Sequence, residues 1–442
     1  VALSPPLDEI LRALLKRHLT DAEVYVKRGR SRRLERTPLT ETSSTSQERA
    51  WAVRAGNRRG SFFAAATGDP TPEGPWPEPV AGHVLELPEP QPASSSAPPW
   101  SPPSDFDTPL TGEREGLKLL ESLGRELEAE LPRARLLRAV LEDGSSEAEL
   151  ANSRGLRATS RSRVATLYLE AAGAGGPGRP APTASLYVAA RETRQFHPTA
   201  LARRLADRLA VSATGSPPER DGGELLLAPV VTVRLLAGLL PLLVGPGPGA
   251  RLVGARGRFG SDRVTLIDNG RLPGGVFESP VDGVGVPTRE VVLVEEGVFR
   301  QPLLAWWQEG AAQGETSGCV RRSGWRDLPA PGPTHLYLKP DPRTPVAALL
   351  GSIPQGHYLI DVTGPGRFDL NADRFALPVC GFAVEAGRAR APVAGAWLCG
   401  GLGALLKGIA GVGRDLTFQP LDGMIGAPSV LATGLELRAD AG

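Results

Sequence analysis

Histidine and cysteine are scarce in this chain, and their placement excludes the metal and thiol chemistries that local spacing can reveal. The 442 residues include 5 His and 3 Cys. No two of His18, His83, His197, His335 and His357 fall within one helical turn, so the helical two-histidine metal motif is missing. Cys319, Cys380 and Cys399 have no CxxC spacing. An odd number of cysteines makes no disulfide framework and suits a reducing compartment. There is no G-x-S-x-G nucleophile elbow and no P-loop. A formal net charge of +1 leaves no electrostatic footprint for nucleic acid or an acidic membrane. The first twenty residues also lack a basic segment followed by an apolar run and a cleavage site. They read instead as an amphipathic helix, with Leu7, Ile10, Leu11, Leu14, Leu15 and Leu19 at three-and-four spacing. The expectation is a cytoplasmic protein.

What is abundant is glycine and proline, at 53 and 43 residues. That composition predicts many turns and some extended chain. From 69 to 110 the sequence is a proline-rich excursion that can join neither ladder nor helix, with Trp76 and Trp100 as local anchors. Strands are expected in "AEVYVKRG", "RAWAVRAG" and "SFFAAATG", the last two joined by a turn at "NRRG". A helix follows over 112–132, then strand-like runs "RLLRAVLED", "AELANSRGL", "RVATLYLEAA" and "ASLYVAARE", and a helix in "PTALARRLADRLAVSA". "TGSPPERDGG" has linker composition. The length exceeds one core. The expected organisation is therefore an N-terminal α+β domain over 1–215, a linker over 216–224 and a strand-rich α+β domain over 225–442. The second half alternates short strands with helices in "PLLAWWQEGAAQ", "TPVAALLGSI" and "LGALLKGIAGVG". Clustered strands predict α+β with mixed and antiparallel sheets and flanking helices.

Two stretches bear on chemistry. "LLLAPVVTVRLLAGLLPLLVG" (225–245) is the longest apolar run. Arg234 and the prolines at 229 and 241 exclude a membrane span and favour a buried interface helix. In "GETSGCVRRSG", Arg321 and Arg322 would lower the pKa of Cys319, and His335 or His357 would have to supply a base; the alternative is a partly buried loop thiol. "CGGLGALLKG" has the strand-to-helix setting of a phosphate turn but lacks the third glycine of the dinucleotide fingerprint. Residue types alone assemble no catalytic constellation.

The order of motifs is more specific. "IDNGRLPGGVFESPVDGVGVPTREVVLVEEGVFRQPLL", then "GETSGCVRRS", "PTHLYLKP", "FDLNADRFALPVCGFAVEAG" and "GGLGALLKGIAGVGRDL", resembles the TldD/PmbA (TldD/TldE) family. The N-terminal elements fit the same series. The resemblance implies a bipartite α+β fold and a two-subunit zinc metallopeptidase that trims unfolded or leader peptides. It also implies a His-Glu-x-x-x-His helix in the active subunit, following a strand that ends in Gly-Pro. Here Ala228 and Pro229 stand at that point, the histidine positions fall on Ala237 and Leu242, and the glutamate position falls on Gly238. The late Thr-Cys-Gly ligand segment is replaced by "LTFQPLDGMIGAPSV". The implied reading is a non-catalytic TldE/PmbA-like subunit with no cofactor of its own, paired with a zinc-bearing TldD-like chain or with a second copy of itself. The family loops imply peptide-binding candidates at Asp282, Thr288, Ser317, Gly318, Cys319, Arg321 and Asp373. The pattern departs at Val284, where an acid is usual, at Cys319 in place of asparagine, and at "ADRFA" in place of Gly-Asp-Phe-Ser. Two other classes stay open: a self-sufficient hydrolase using Cys319, and a scaffold or peptide-binding protein without a peptidase partner.

Overall fold

The computed structural model describes residues 7–82, 85–90, 108–175, 181–218, 223–245, 258–308 and 318–440. The fold is α+β. Its first half is one antiparallel sheet built from β1 (Asp21–Arg36), β2 (Glu41–Asn57), β3 (Gly60–Thr67), β4 (Arg135–Asn152), β5 (Arg157–Ala172) and β6 (Thr183–Ala190), in the order β3-β2-β1-β4-β5-β6. Four of these strands run 16 to 18 residues, roughly 50–60 Å each at the usual strand rise. Alternation sets their faces. In β5, Ala165, Leu167, Leu169 and Ala171 are buried in turn. They pack against α2 (Glu113–Glu130) and α3 (Pro198–Thr214), whose Leu120, Leu123, Leu127, Leu205 and Leu209 complete that core. At the opposite end of the sheet, α1 (Leu7–Leu15) lays Ile10, Leu11 and Leu14 on Val24, Val26 and Val53.

Two strand assignments change. "RLLRAVLED" and "AELANSRGL" are one continuous strand, β4. The polar run at 41–48, which carries no apolar alternation, is the outer half of β2, paired residue for residue with β1 from Arg36↔Glu41 to Arg28↔Arg49. Backbone pairing, with the Ser31–Ser46 hydroxyl contact and the Arg36–Glu41 ion pair across it, makes this a strand. The start of the proline-rich excursion is anchored: Trp76 is buried, meets Trp51 edge-to-face at 5.3 Å and donates its indole N–H to the Pro72 carbonyl at 3.1 Å. Trp100 lies outside the described residues.

The second half opens with β7 (Glu224–Leu227), which runs straight into α4 (Pro229–Leu243). β7 is interior to a mixed sheet, parallel to the strand Gln355–Val362 and antiparallel to Val430–Ala432. The long hairpin Arg374–Glu385 and Arg388–Gly400 extends that sheet. A second mixed sheet carries Leu266–Asn269, Glu290–Glu295, His335–Leu338, Thr417–Leu421 and Gly423–Ala427. α4 touches strands of both sheets, and its Val231, Val233, Leu235, Leu236, Leu239, Leu242 and Leu243 belong to the cluster that joins them. Each such buried side chain contributes roughly 1.5–3 kcal/mol relative to exposure. This is why the 225–245 run is so apolar. Among the described residues no helix is long and apolar enough to cross a membrane. Pro241 lies inside α4 but only two residues from its end, on the exposed side, so the lost N–H does not break the helix.

Two helix expectations shorten. Over 402–413 the helix ends at Gly408, and Ile409–Val412 becomes a strand against Val430–Ala432. Over 302–308 the chain is extended and then makes one 3-10 turn, Trp306–Gln308, because Leu303 is bridged to the end of α4 through Leu303 N to Leu243 O at 2.7 Å. The residues 309–313 of that expected helix lie outside the described residues.

Candidate functional site

Two concave regions lie where the first sheet meets the second half. The first is a groove of about 380 Å³, walled by the face of β1, β4 and β5 (Tyr25, Lys27, Ser146, Ser160) and by the loops carrying Asp282, Thr288, Arg321 and Arg322. Three of the expected peptide-binding residues therefore line one groove. Their polar atoms already have partners. Asp282 accepts from the backbone N–H groups of Val284 and Val286, each at 3.0 Å, and of Val320 at 3.1 Å. Burial pushes its carboxyl up to about 7, against the pull of those N–H groups, and the nearby Glu23 adds to the rise. Thr288 is buried and donates its hydroxyl to the Ser279 carbonyl. Arg321 donates to the Pro333 carbonyl at 2.8 Å and stacks over Phe277 at 5.3 Å.

Gly318 and Cys319 stand behind the groove. Gly318 has φ +59°, and a Cβ there would come within 2.2 Å of the Pro287 carbonyl oxygen, so only glycine fits. Cys319 is 1% exposed and its thiol donates to the Leu304 carbonyl at 3.1 Å. Ser317 lies outside the described residues. Asp373 is elsewhere, accepting the Gly403 N–H at 3.1 Å near the start of the helix Leu402–Gly408. Val284 fills a small apolar cluster with Val286, Ala305 and Val320, where an acid would be buried without a counter-charge.

The groove is held by an ion cluster that residue spacing did not signal. Glu23, on β1, is 1% exposed and binds Arg54 through both oxygens, at 2.9 and 2.8 Å. Arg322 joins from the second half, bonding the same carboxylate, donating to the Gly283 carbonyl at 2.7 Å and lying 4.6 Å over the Tyr25 ring. Burial alone would raise the Glu23 pKa, but the two guanidinium groups hold it below its ordinary value.

The second region is a cavity of about 680 Å³ beside α4. Ala237 and Gly238 line it, and Leu242 is buried in the core on the same helix. None of the three offers a donor to a metal. The space above Gly238 is also filled: a Cβ there would lie 2.3 Å from the Phe368 ring, which stacks on Phe375 at 6.3 Å as its cross-strand partner. The zinc helix implied for the active subunit therefore does not fit this chain. Among the described residues no three His, Cys, Asp or Glu side chains group to hold a metal. The cavity gathers Arg204, Arg208, Arg234 and Asp361 instead. Arg204 and Arg208 are one turn apart on α3, and Arg234 is the lone charge of α4; those were the available signals in the sequence.

Residues 255–438 match the family model described as the PmbA/TldA metallopeptidase C-terminal domain. The second half of the chain thus carries the C-terminal domain of the TldD/PmbA family. Curated TldD/PmbA relatives include metalloprotease TldD homologs from Buchnera aphidicola, 25% identical over 170 residues, and from Haemophilus influenzae, 26% identical over 187. Those matches cover 38% and 37% of this chain and span only 35% and 38% of the relatives' own length. The TldD/PmbA fold extends over nearly the whole chain. TldE from Thermococcus kodakarensis superposes with a TM-score of 0.83 at 18% identity, covering 98% of this chain and 99% of that one. A Thermotoga maritima protein named as a modulator of a DNA gyrase gives 0.76 at 18% identity, with the same coverage.

Proposed function

We propose that this chain is the non-catalytic, TldE/PmbA-like member of a metallopeptidase pair, with 1–215 and 225–442 as its two domains and 216–224 as the linker. It works in the cytoplasm beside a zinc-bearing TldD-like subunit, closing a chamber in which unfolded or leader peptides are trimmed. What carries the reading is Gly238 under the Phe368 ring, between Ala237 and the buried Leu242. The positions that would ligate zinc and act as general base have lost their donors, and the space for the glutamate has been given to an aromatic ring. The groove beside Asp282 and Arg321 supports a peptide role for the same chain, since an extended substrate can lie along sheet strands. The hydrolase alternative meets a Cys319 thiol that is buried and bonded to a carbonyl, with Arg321 and Arg322 committed to other partners.

The test is zinc content and peptidase activity of this chain purified alone and after co-expression with a TldD-like chain. A metal-free, inert chain that yields zinc-dependent cleavage only in the complex is the expected result. Stoichiometric zinc or cleavage by the lone chain would overturn the assignment. A homodimer without any TldD-like partner would favour the scaffold alternative.

A further inference from the structure

We infer that the cavity between α3 and α4 is a carboxylate-binding site for an extended peptide, with Arg204, Arg208 and Arg234 as its cationic wall. The inference rests on the reading of this chain as peptide-handling, but on a different site from the Asp282 groove. Three guanidinium groups line the cavity and one carboxylate, Asp361, faces them. All three act on Asp361 electrostatically, so they share a single counter-charge. Arg208 is committed, donating to the Ser185 carbonyl at 3.0 Å and the Val362 carbonyl at 2.6 Å and pairing with Asp361 at 3.4 Å. Arg204 and Arg234 have no hydrogen-bond or ion-pair partner among the described residues. Arg204 is nevertheless largely withdrawn from water, and that burial depresses its pKa while Asp361 works the other way. Among the described residues Arg204 and Arg234 are the cavity's two guanidinium groups without a bonded partner, and a planar, bidentate oxyanion is the group whose geometry pairs with them.

The shape selects a peptide over a free inorganic anion. About 680 Å³ is far more than one oxyanion fills. Val230, Phe368, Leu377 and Leu421 supply apolar wall. Two sheet edges border the space: β6 ends the first sheet and the strand Thr417–Leu421 ends another. The two edges pack against each other at this border, and the arginines beside them receive the peptide's carboxylate. The carboxylate could come from the peptide C-terminus or from an Asp or Glu side chain.

Isothermal titration of the full chain, without any partner, separates these cases. The probes are N-acetyl-Ala-Ala-Leu-Ala as free acid, the same peptide as C-terminal amide, and the amide of N-acetyl-Ala-Glu-Leu-Ala. The free acid is expected to bind at least about tenfold more tightly than the neutral amide, as charge-assisted pairing requires. Binding of the Glu-containing amide like the free acid would assign side-chain carboxylates as ligands too; failure of that amide alone would assign the C-terminal carboxylate. Arg204→Gln/Arg234→Gln should lose roughly tenfold or more, and the Lys/Lys pair should retain part of the affinity. If the double variant does not fold, Arg234→Gln alone, at an exposed position, still tests the site by a several-fold loss. Equal binding of free acid and neutral amide, unchanged binding by a folded Gln variant, or no binding of any probe would overturn the proposal. None of these outcomes depends on zinc or on a second subunit, so failure here is distinct from failure of the pairing reading.

Discussion

Glu23 and Arg322 lie 299 residues apart and share a buried ion pair in which Arg54 also takes part. The pair ties the first sheet to the loop that frames the Asp282 groove. A second tie is the Trp325 indole N–H, which donates to Glu48 at 2.8 Å.

Removing one side of this cluster leaves buried charge behind. Arg322→Met should cost about 3–5 kcal/mol, the usual effect of breaking a buried pair. Denaturant unfolding measures it. Glu23→Gln, which strands two guanidinium groups, should cost at least as much. A loss of under about 1 kcal/mol for either would mean that water reaches the cluster.

His335 and Asp268 should oppose each other in pH dependence. His335 is 1% exposed, with Nδ1 against the Asn269 carbonyl at 3.0 Å and Nε2 accepting the Phe277 N–H at 3.2 Å. Burial lowers its pKa to about 4. The unfolded chain takes up this proton near 6.5 and the folded one near 4, so its contribution is complete above about 6.5 and falls as pH drops towards 4, by up to about 3 kcal/mol. Asp268, which accepts the Thr334 N–H at 2.8 Å, is pushed up to about 7 by burial. The folded chain then holds the proton longer than the unfolded one, and stability falls as pH rises from about 4 to about 7. Denaturation across pH 4–7.5 should show the stability gap between parent and His335→Gln narrowing on acidification. For Asp268→Asn the gap should narrow as pH rises. Parallel curves for parent and variant would rule out the assigned shift.

Gly238→Ala should destabilise by about 1–3 kcal/mol, because the added methyl meets the Phe368 ring. Phe368→Ala should absorb most of that penalty, so thermal melts of the two single variants and the double variant should be strongly non-additive. Restoring Ala237→His, Gly238→Glu and Leu242→His together should not produce stoichiometric zinc while Phe368 remains, as metal analysis of the purified variant would show.

The native thiols should resist alkylation. Cys319 and Cys380 are almost fully buried, and burial pushes the Cys380 thiol up to about 12. Iodoacetamide labelling of the folded chain, read by mass spectrometry, should leave residue 319 unmodified until denaturant is added. Cys319→Ala should leave any activity of a complex with a TldD-like subunit within about twofold. Loss of activity on labelling Cys319 in the native chain would revive the hydrolase alternative.

The elements that could be read in advance are those whose burial leaves a period in the sequence. α2, α3 and β5 show it, as does the ordered series of loops that carried the family resemblance. The outer half of β2 carries no such signal, since Ser43 to Ser46 face solvent on both sides. The strand Ile409–Val412 looks helical because Leu405 and Leu406 precede it at helical spacing. For the candidate sites, the family resemblance pointed to Asp282, Thr288 and Arg321; that they line one groove, and which internal partners they hold, came only from the fold. The Arg204–Arg234–Asp361 cavity was illegible because its charges come from segments up to 157 residues apart, from 204 to 361. The missing glutamate at 238 could be counted against the family motif; the ring that takes its space could not.

The order of synthesis adds a time to the Glu23 cluster. β1 and β2 leave the ribosome early, and Glu23 can bind Arg54 as soon as that hairpin closes. Arg322 follows 299 residues behind Glu23, which at ordinary elongation rates is roughly 15–60 s. Tyr25 and Lys27 precede Ser146, and all three precede the loops of Asp282 and Arg322 that complete the groove. The groove is therefore a late feature of the chain: its floor is encoded in the first half and its rim only about 300 residues on.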